Sequence, residues 1–434
     1  MKRLILNIVS LVCIVLFSTF IDAQAQYKEK NYGNTPDEVV PYANFQNAYK
    51  KHFVEPMPFR GSGREKAAAT GLETIKIGFL GPLEGSKDVP KGQQMLQGSI
   101  LAIEEANAKG GYKGAPFELL PHNDVGLWGA AANEVVSMDD EGVWAILGSI
   151  NDIVTHVAIR VALKCEIPVI NIGDPDPTLT ETNIPWIIRV ISDDRQSSYA
   201  LTNRIFRKDG HDRVSLLRAN NRYGRVGTGE FKDASTRMGH PVAVELRYED
   251  GDTDFTEQLV KIKNSNCDAV ALWGDAKELG LIVNQMRAMG LNQPVYTCDR
   301  AVSPEFLKVA GNNANGIITT SQYNPKADNP KLKNFRQTYK ARFNMEPDVF
   351  ACHAYDGTNI TIDAIKKAGL NRTLIRDLLT DMTTFQNYQG VTGEIVFDAS
   401  WNDVGRIFMV EIKDNDFNFS PVIYTDQKMT GSIK

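Results

Sequence analysis

Cysteine is scarce in this chain of 434 residues: five in all, one of them, Cys13, inside the apolar N-terminal run. The other four, Cys165, Cys267, Cys298 and Cys352, never stand in C-x-x-C spacing, so neither a zinc site nor a dithiol redox centre is indicated. Histidine is equally sparse, six residues dispersed along the chain. No G-x-S-x-G elbow, H-E-x-x-H helix, phosphate loop or G-x-G-x-x-G after a first strand occurs. The usual signatures of hydrolase, metalloprotease and nucleotide chemistry are therefore missing, and no enzyme, metal or cofactor is read from the chain. Basic stripes are also lacking and the formal net charge is −5, which argues against nucleic acid as a partner.

What is present describes a globular protein too long for one core. Hydrophobic residues make up 42% and charged residues 23%, and a chain of this length splits into two lobes more readily than it fills one. Lys2 and Arg3 precede an apolar run from Leu4 to Ile21, and Ala23-Gln24-Ala25 supplies a small-x-small cleavage pattern, so residues 1–25 read as a signal peptide of an exported, periplasmic chain. Cleavage removes two basic residues and one acidic residue and takes the net charge from −5 to −6. Residues 26–73 read as an N-terminal extension or linker whose aromatics, Tyr42, Phe45, Tyr49, Phe53 and Phe59, can clamp it to the body.

From Thr74 the pattern changes to alternating strands and helices. Ile75–Leu80 reads as a strand, and Leu96, Ile100 and Ile103 mark a helix. Short apolar runs at Phe117–Leu120, Ala145–Leu147, Val169–Ile172 and Ile187–Val190 complete a first parallel series. A second begins at Val214–Leu217 and continues through Val242–Leu246, Ala269–Trp273, Val295–Tyr296 and Gly316–Thr320. The fold class is thus α/β, with two doubly wound parallel-sheet lobes joined by a hinge. The remainder, helical near Lys331–Phe343 and Tyr355–Ala368, has no third strand series and must pack on the existing lobes.

In open parallel sheets the ligand lies against loops at the carboxyl ends of strands. Those loops supply the candidate ligand-binding residues: Ile150, Asn151 and Asp152; Gly173 and Asp174; Tyr223; Trp273 and Asp275; and Asp299. Four of the five loops carry an aspartate, and aspartate is also a preferred helix cap. Capping competes most strongly at Asp275, where Glu278 completes a capping box. It competes evenly at Asp152 and least at Asp299, because Ser303 ahead of Pro304 is the better cap. Asp174, beside Pro175, is a turn residue first, and Trp273 and Tyr223 are core or rim aromatics that can stack on a ligand.

Ile75–Leu83 with Glu84-Gly85, Asn107–Gly111, Tyr223-Gly224, Asp254-Phe255, Ala354-Tyr355-Asp356 and Gly390–Gly393 follow one another in an order that resembles the type I periplasmic binding proteins of the leucine/isoleucine/valine-binding kind. The resemblance implies a hinged solute-binding protein that delivers its ligand to an ABC permease in the membrane, here expected as a monomer. It implies lobe 1 as residues 74–192 plus 324–400 and lobe 2 as 193–323 plus 401–434, with crossovers near Ser192, Tyr323 and Trp401. It also implies that Asp299 receives a ligand ammonium and that Tyr223 keeps its family type. Asp152 and Gly173-Asp174-Pro175 stand where that family's carboxylate-binding serine and threonine would be, Asp275 replaces an aromatic, and Gly126 and Asn151 replace the cysteines of its first-lobe disulfide. Carboxylates converging on a dry cleft repel one another by about 4 kcal/mol per close pair at an effective dielectric near 20. The expected ligand is therefore a cationic amine or amide, or a metal-containing species, with a polyol next. A branched-chain amino acid is the family default, and a ligand-sensing domain of a membrane receptor is the competing role.

Overall fold

The computed structural model describes Phe59 and residues 61–182, 184–381, 384–385 and 388–422; the expected signal peptide and most of the extension lie outside them. Five parallel strands form the first sheet: β1 (Ile75–Gly81), β2 (Phe117–Asn123), β3 (Ile146–Gly148), β4 (Val169–Asn171) and β5 (Ile187–Arg189), in the order β2-β1-β3-β4-β5. Period-two alternation sends side chains to opposite faces. Phe79, Leu147, Ile170 and Ile188 join one core, with helices α1 (Val89–Ala108), α11 (Val349–Ala368) and α12 (Arg372–Thr380). Leu80, Ile146, Val169 and Ile187 join the other, beneath α2 (Trp128–Asp140) and α3 (Asp152–Cys165). A short helix α4 (Thr178–Glu181) follows β4.

The chain then leaves this sheet through α5 (Asp194–Thr202) and repeats the plan. Strands β6 (Val214–Ala219), β7 (Val244–Tyr248), β8 (Ala269–Trp273), β9 (Val295–Thr297) and β10 (Ile318–Ser321) are parallel in the order β7-β6-β8-β9-β10. Helices α6 (Arg222–Arg237), α7 (Thr256–Lys263), α8 (Ala276–Ala288) and α9 (Pro304–Ala310) connect them, and one core cluster unites this lobe. After β10 the chain returns through α10 (Pro330–Phe343) to α11 and α12, and a two-residue ladder pairs β11 (Tyr388–Gln389) with β12 (Glu394–Ile395). The C-terminal segment corrects the purely parallel expectation for the second lobe: β13 (Phe408–Lys413) and β14 (Asp416–Pro421) form a hairpin that adds two antiparallel strands beside β10. Phe408–Lys413 carries strand periodicity, and pairing with β10 satisfies an edge otherwise left open.

Where the chain crosses between sheets, Arg189 is fully buried and ties two crossing segments to the turn after β4. Its Nε donates to Asn402 Oδ1 at 2.7 Å, its Nη2 to Asp193 Oδ2 at 2.9 Å, and its Nη1 to the Asp176 carbonyl. The last residues of the extension are strapped to the first lobe. Phe59 meets Trp186 edge-to-face with centroids 5.3 Å apart, and Arg64 makes a two-pronged pair with Asp377 on α12 at 2.6 and 2.9 Å. Asn371 Nδ2 donates to the carbonyls of Gly63 and Lys66. The clamping expected of Phe59 is thus present, while Tyr42, Phe45, Tyr49 and Phe53 lie outside the described residues. Cys165, Cys267, Cys298 and Cys352 are free thiols. Among the described residues no helix is long and apolar enough to cross a membrane.

Candidate functional site

The carboxyl ends of both sheets face one another across the interlobe cleft. On the first-lobe wall, Asn171 organises the turn after β4: its Oδ1 accepts from Gly173 N at 3.0 Å and Asp174 N at 2.9 Å, and its Nδ2 donates to the Asp174 carbonyl at 2.8 Å. A side chain at Gly173 would crowd Met95 at 3.1 Å and the Ser149 carbonyl at 3.3 Å, so the two loops close against each other. Asp174 is the turn residue expected of it, accepting from Asp176 N at 3.0 Å, but its Oδ2 is buried and receives no donor. The neighbouring Thr155 hydroxyl donates to the Asn151 carbonyl at 3.0 Å and lies close enough to Asp174 to offset part of its burial.

Asn151 is the cap of α3, accepting from Ile153 N at 3.1 Å and Val154 N at 3.3 Å. That leaves Asp152, the first helical residue and 4% exposed, free of the capping role that its position also allowed. Its Oδ2 likewise has no donor. Ile150 packs into the first-lobe core and presents no polar group.

On the second-lobe wall, Tyr223 and Asp299 come together: the Tyr223 hydroxyl donates to Asp299 Oδ1 at 2.8 Å, and Gln322 Nε2 donates to Oδ2 at 3.0 Å. Ser303 caps α9 by accepting from Phe306 N at 3.2 Å, so Asp299 is not a cap. Arg300 lies over the Tyr223 ring, its Cζ 3.4 Å from the centroid. Trp273 takes the core position that was the first of its two readings. It is 1% exposed, fixed within the second-lobe core against Tyr223 and the backbone of Gly227, because a five-residue strand of apolar residues, Ala269–Trp273, is buried throughout.

Asp275 corrects the capping-box expectation. It occupies the cap position of α8 without any side-chain capping bond, and Glu278 accepts instead from Gly251 N. Its carboxylate is taken by three cations: Arg300 Nη1 at 2.6 Å, Lys87 Nζ at 2.8 Å and Lys91 Nζ at 3.0 Å. Burial would raise its pKa, but Arg300, Lys91 and Lys87 outweigh burial and hold it well below the usual range. Lys87 and Lys91 come from the first lobe, so these pairs cross the cleft. Arg222 crosses in the opposite sense, from α6 to Asp176 Oδ2 at 2.7 Å, where His156 also binds at 3.1 Å. Burial works to raise Asp176 and is overcome by His156, Thr178 and Arg222, leaving it lowered.

In three further acids burial outweighs every offset. Burial, reinforced by the charge of Asp176, pushes Asp152 up to about 6. Burial and the charges of Asp152 and Asp176 raise Asp174 well above the carboxylate range. Asp194, which opens α5 at the crossover and is 1% exposed, has both carboxylate oxygens unpartnered and is raised by burial, then by Asp299 and Asp152. The expectation of uncompensated acids thus holds for part of the cleft only: Lys87, Lys91, Arg222 and Arg300 were not read as site residues, nor were Asp176 and Asp194. Arg300 beside Asp299 and Asp176 two residues after Asp174 were the available signals. Among the described residues no three His, Cys, Asp or Glu side chains are gathered to hold a metal ion.

Residues 74–416 match the family model described as periplasmic binding protein. The chain belongs to that family. This periplasmic binding protein is 29% identical over 343 residues to the Leu/Ile/Val-binding protein homolog 2 of Brucella abortus, covering 76% of this chain and 88% of that one. It is 27% identical over 303 residues to the leucine-, isoleucine-, valine-, threonine- and alanine-binding protein of Pseudomonas aeruginosa, covering 68% and 79%. Among solved structures, the branched-chain amino acid transporter substrate-binding protein of Streptococcus pneumoniae in complex with isoleucine superposes with a TM-score of 0.72 at 27% identity, covering 80% of this chain and 99% of that one. The leucine-binding protein of Thermotoga maritima gives 0.73 at 24% identity, which shows the shared fold.

Proposed function

We propose that this chain is an exported solute-binding protein that traps a small ligand between its lobes and hands it to an ABC permease, with no chemical step. Residues 1–25 act as the cleaved leader, the mature protein works in the periplasm as a monomer, and the ligand enters with a positively charged or N–H-rich end. The observation that carries the ligand reading is the buried carboxyl group of Asp194, which has no donor on either oxygen and feels the charges of Asp299 and Asp152. Buried acceptors without donors cost about 1–3 kcal/mol each, so a ligand supplying those donors is bound at the expense of a strained empty site. The absence of a metal-shaped cluster among the described residues favours an organic cation over a bare metal ion.

A branched-chain amino acid is the second reading, supported by the names of the relatives and by Asp299, whose carboxylate is aligned by Tyr223 and Gln322 as an ammonium acceptor would be. A thermal-shift screen of the mature protein separates the two, because a ligand that binds only the folded state raises Tm. Organic cations shift the first reading's protein and leucine or valine the second's; turnover of any bound compound removes the binding-only assignment.

A further inference from the structure

Two lysines of the first lobe reach acids of the second. Lys87 and Lys91 stand at the start of α1, just after a stretch anchored by Asn123, whose Oδ1 accepts from Leu83 N at 2.9 Å and Glu84 N at 3.3 Å. Lys87 Nζ lies 2.7 Å from Asp250 Oδ2 and 2.8 Å from Asp275 Oδ2. Lys91 Nζ lies 3.0 Å from Asp275 Oδ1 and 2.7 Å from Asp88 Oδ1 on its own lobe. On the far side both acids are set in place by their own lobe: Asn221 Nδ2 donates to Asp250 Oδ1 at 2.7 Å and Arg300 Nη1 to Asp275 Oδ1 at 2.6 Å.

The six charges of this group balance only when the lobes meet. Lys87, Asp88 and Lys91 leave the first lobe with one positive charge in excess, and Asp250, Asp275 and Arg300 leave the second with one negative charge in excess. Every partner is a protein group, so the balance needs no solute. Separating the lobes leaves Asp275 with Arg300 and Lys91 with Asp88, but takes from Lys87 both of the acids it meets. The Asp275 side chain is 18% exposed, so its pairs are screened less than those of a solvated surface. Burial works to lower the pKa of Lys87, but Asp275 and Asp250 outweigh it and raise it, so the cation persists at neutral pH. Arg300 carries the group on to the second-lobe wall, because its guanidinium covers the Tyr223 ring and Tyr223 donates to Asp299.

Resting on the solute-binding reading above, we propose that Lys87, Lys91 and Asp275 set the affinity of the cleft without touching the ligand: they clasp the two lobes shut. A solute held by the closed form then binds in proportion to the fraction of molecules already closed.

Double electron–electron resonance measures the interlobe distance with no ligand added. Nitroxides go on Val136→Cys and Val260→Cys, exposed positions on α2 and α7, in a Cys165→Ser mature chain unfolded and refolded to strip bound solute. At about 20 mM salt the parent should give a short distance, which lengthens in part of the molecules at about 1 M, where the screening length falls to about 3 Å. Lys87→Glu and Asp275→Asn should each lower the closed-to-open ratio by about tenfold or more, whereas Lys87→Arg stays within about threefold of the parent. Lys87 is half exposed, so its variants keep the test valid should Asp275→Asn fail to fold. Parent distances in Lys87→Glu at low salt overturn the clasp, as does Lys87→Arg opening the lobes as far as Lys87→Glu. Two distances in the same ratio in all four proteins overturn it too but leave the hinged solute-binding reading standing, whereas one unchanging distance in every protein at both salt levels removes that reading as well.

Discussion

Replacing Asp152 by asparagine should stabilise the ligand-free protein at neutral pH and do nothing useful in acid. Burial and the Asp176 charge hold the Asp152 carboxyl at about 6 in the folded state, whereas an unfolded aspartate titrates near 4. Because the folded state disfavours the ionised form, folding carries a cost that is full above about pH 6 and vanishes as the pH falls below about 4. That separation corresponds to roughly 3 kcal/mol. Asparagine carries no charge at any pH and keeps the size of the side chain, and removing the Asp152 charge also relieves Asp174 and Asp194, which it raises. The variant should therefore gain about 3 kcal/mol over the parent at pH 7.5 and almost nothing at pH 4. In urea, with a slope near 3 kcal/mol per molar, that is a midpoint shift of about 1 M at the higher pH. Asp275 and Asp176, both held below the usual carboxylate range, stay ionised at pH 4 and at pH 7.5, so the interlobe pairs persist in both proteins and cancel in the comparison. Protein stripped of ligand by unfolding and refolding is the material to use. Equal gains at both pH values, or a loss at pH 7.5, would refute the argument that Asp152 lacks a partner within the protein.

Gly227→Ala should destabilise the second lobe by about 1–3 kcal/mol, since a Cβ there would stand 2.3 Å from the buried Trp273 ring; urea unfolding followed by tryptophan fluorescence reads it. Arg222→Ala removes a pair that crosses the cleft, in which Asp176 is wholly buried and Arg222 about one-third exposed. Titration at two salt concentrations should show ligand affinity reduced by about 0.5–1 kcal/mol and its salt dependence flattened. Arg64→Ala removes the pair that ties the extension to Asp377 and the bonds Arg64 makes within the extension to the Phe59 and Gly61 carbonyls. Limited proteolysis should then cut near residues 59–66 faster while the Tm of the body barely moves.

The alternation of apolar runs placed most strands of both lobes to within two residues, because buried parallel strands leave a contiguous signal that turns interrupt. Asp299 and Ser303 were separable for a similar local reason: proline at the first helical position names its own cap. Asp275 was misread because the D-x-x-E spacing that makes a capping box is indifferent to partners elsewhere, and Lys87 and Lys91 lie more than 180 residues away in the other lobe. Asp194 was passed over because it sits at a crossover, not at a strand end, and only the three-dimensional path brings it to Asp152. Following acids alone also missed Arg300, although it adjoins Asp299. The hairpin at Phe408–Pro421 was legible as alternation, but the edge it pairs with is created only once β10 is in place.

The strap that joins residues 59–70 to α12 and Trp186 has a mechanical consequence. Among its described residues the contacts it makes outside itself run to the first lobe, so a load applied through the N-terminal extension is borne first by α12 and its surroundings. If the extension serves as a leash, the molecule can be held by one jaw while the other swings freely.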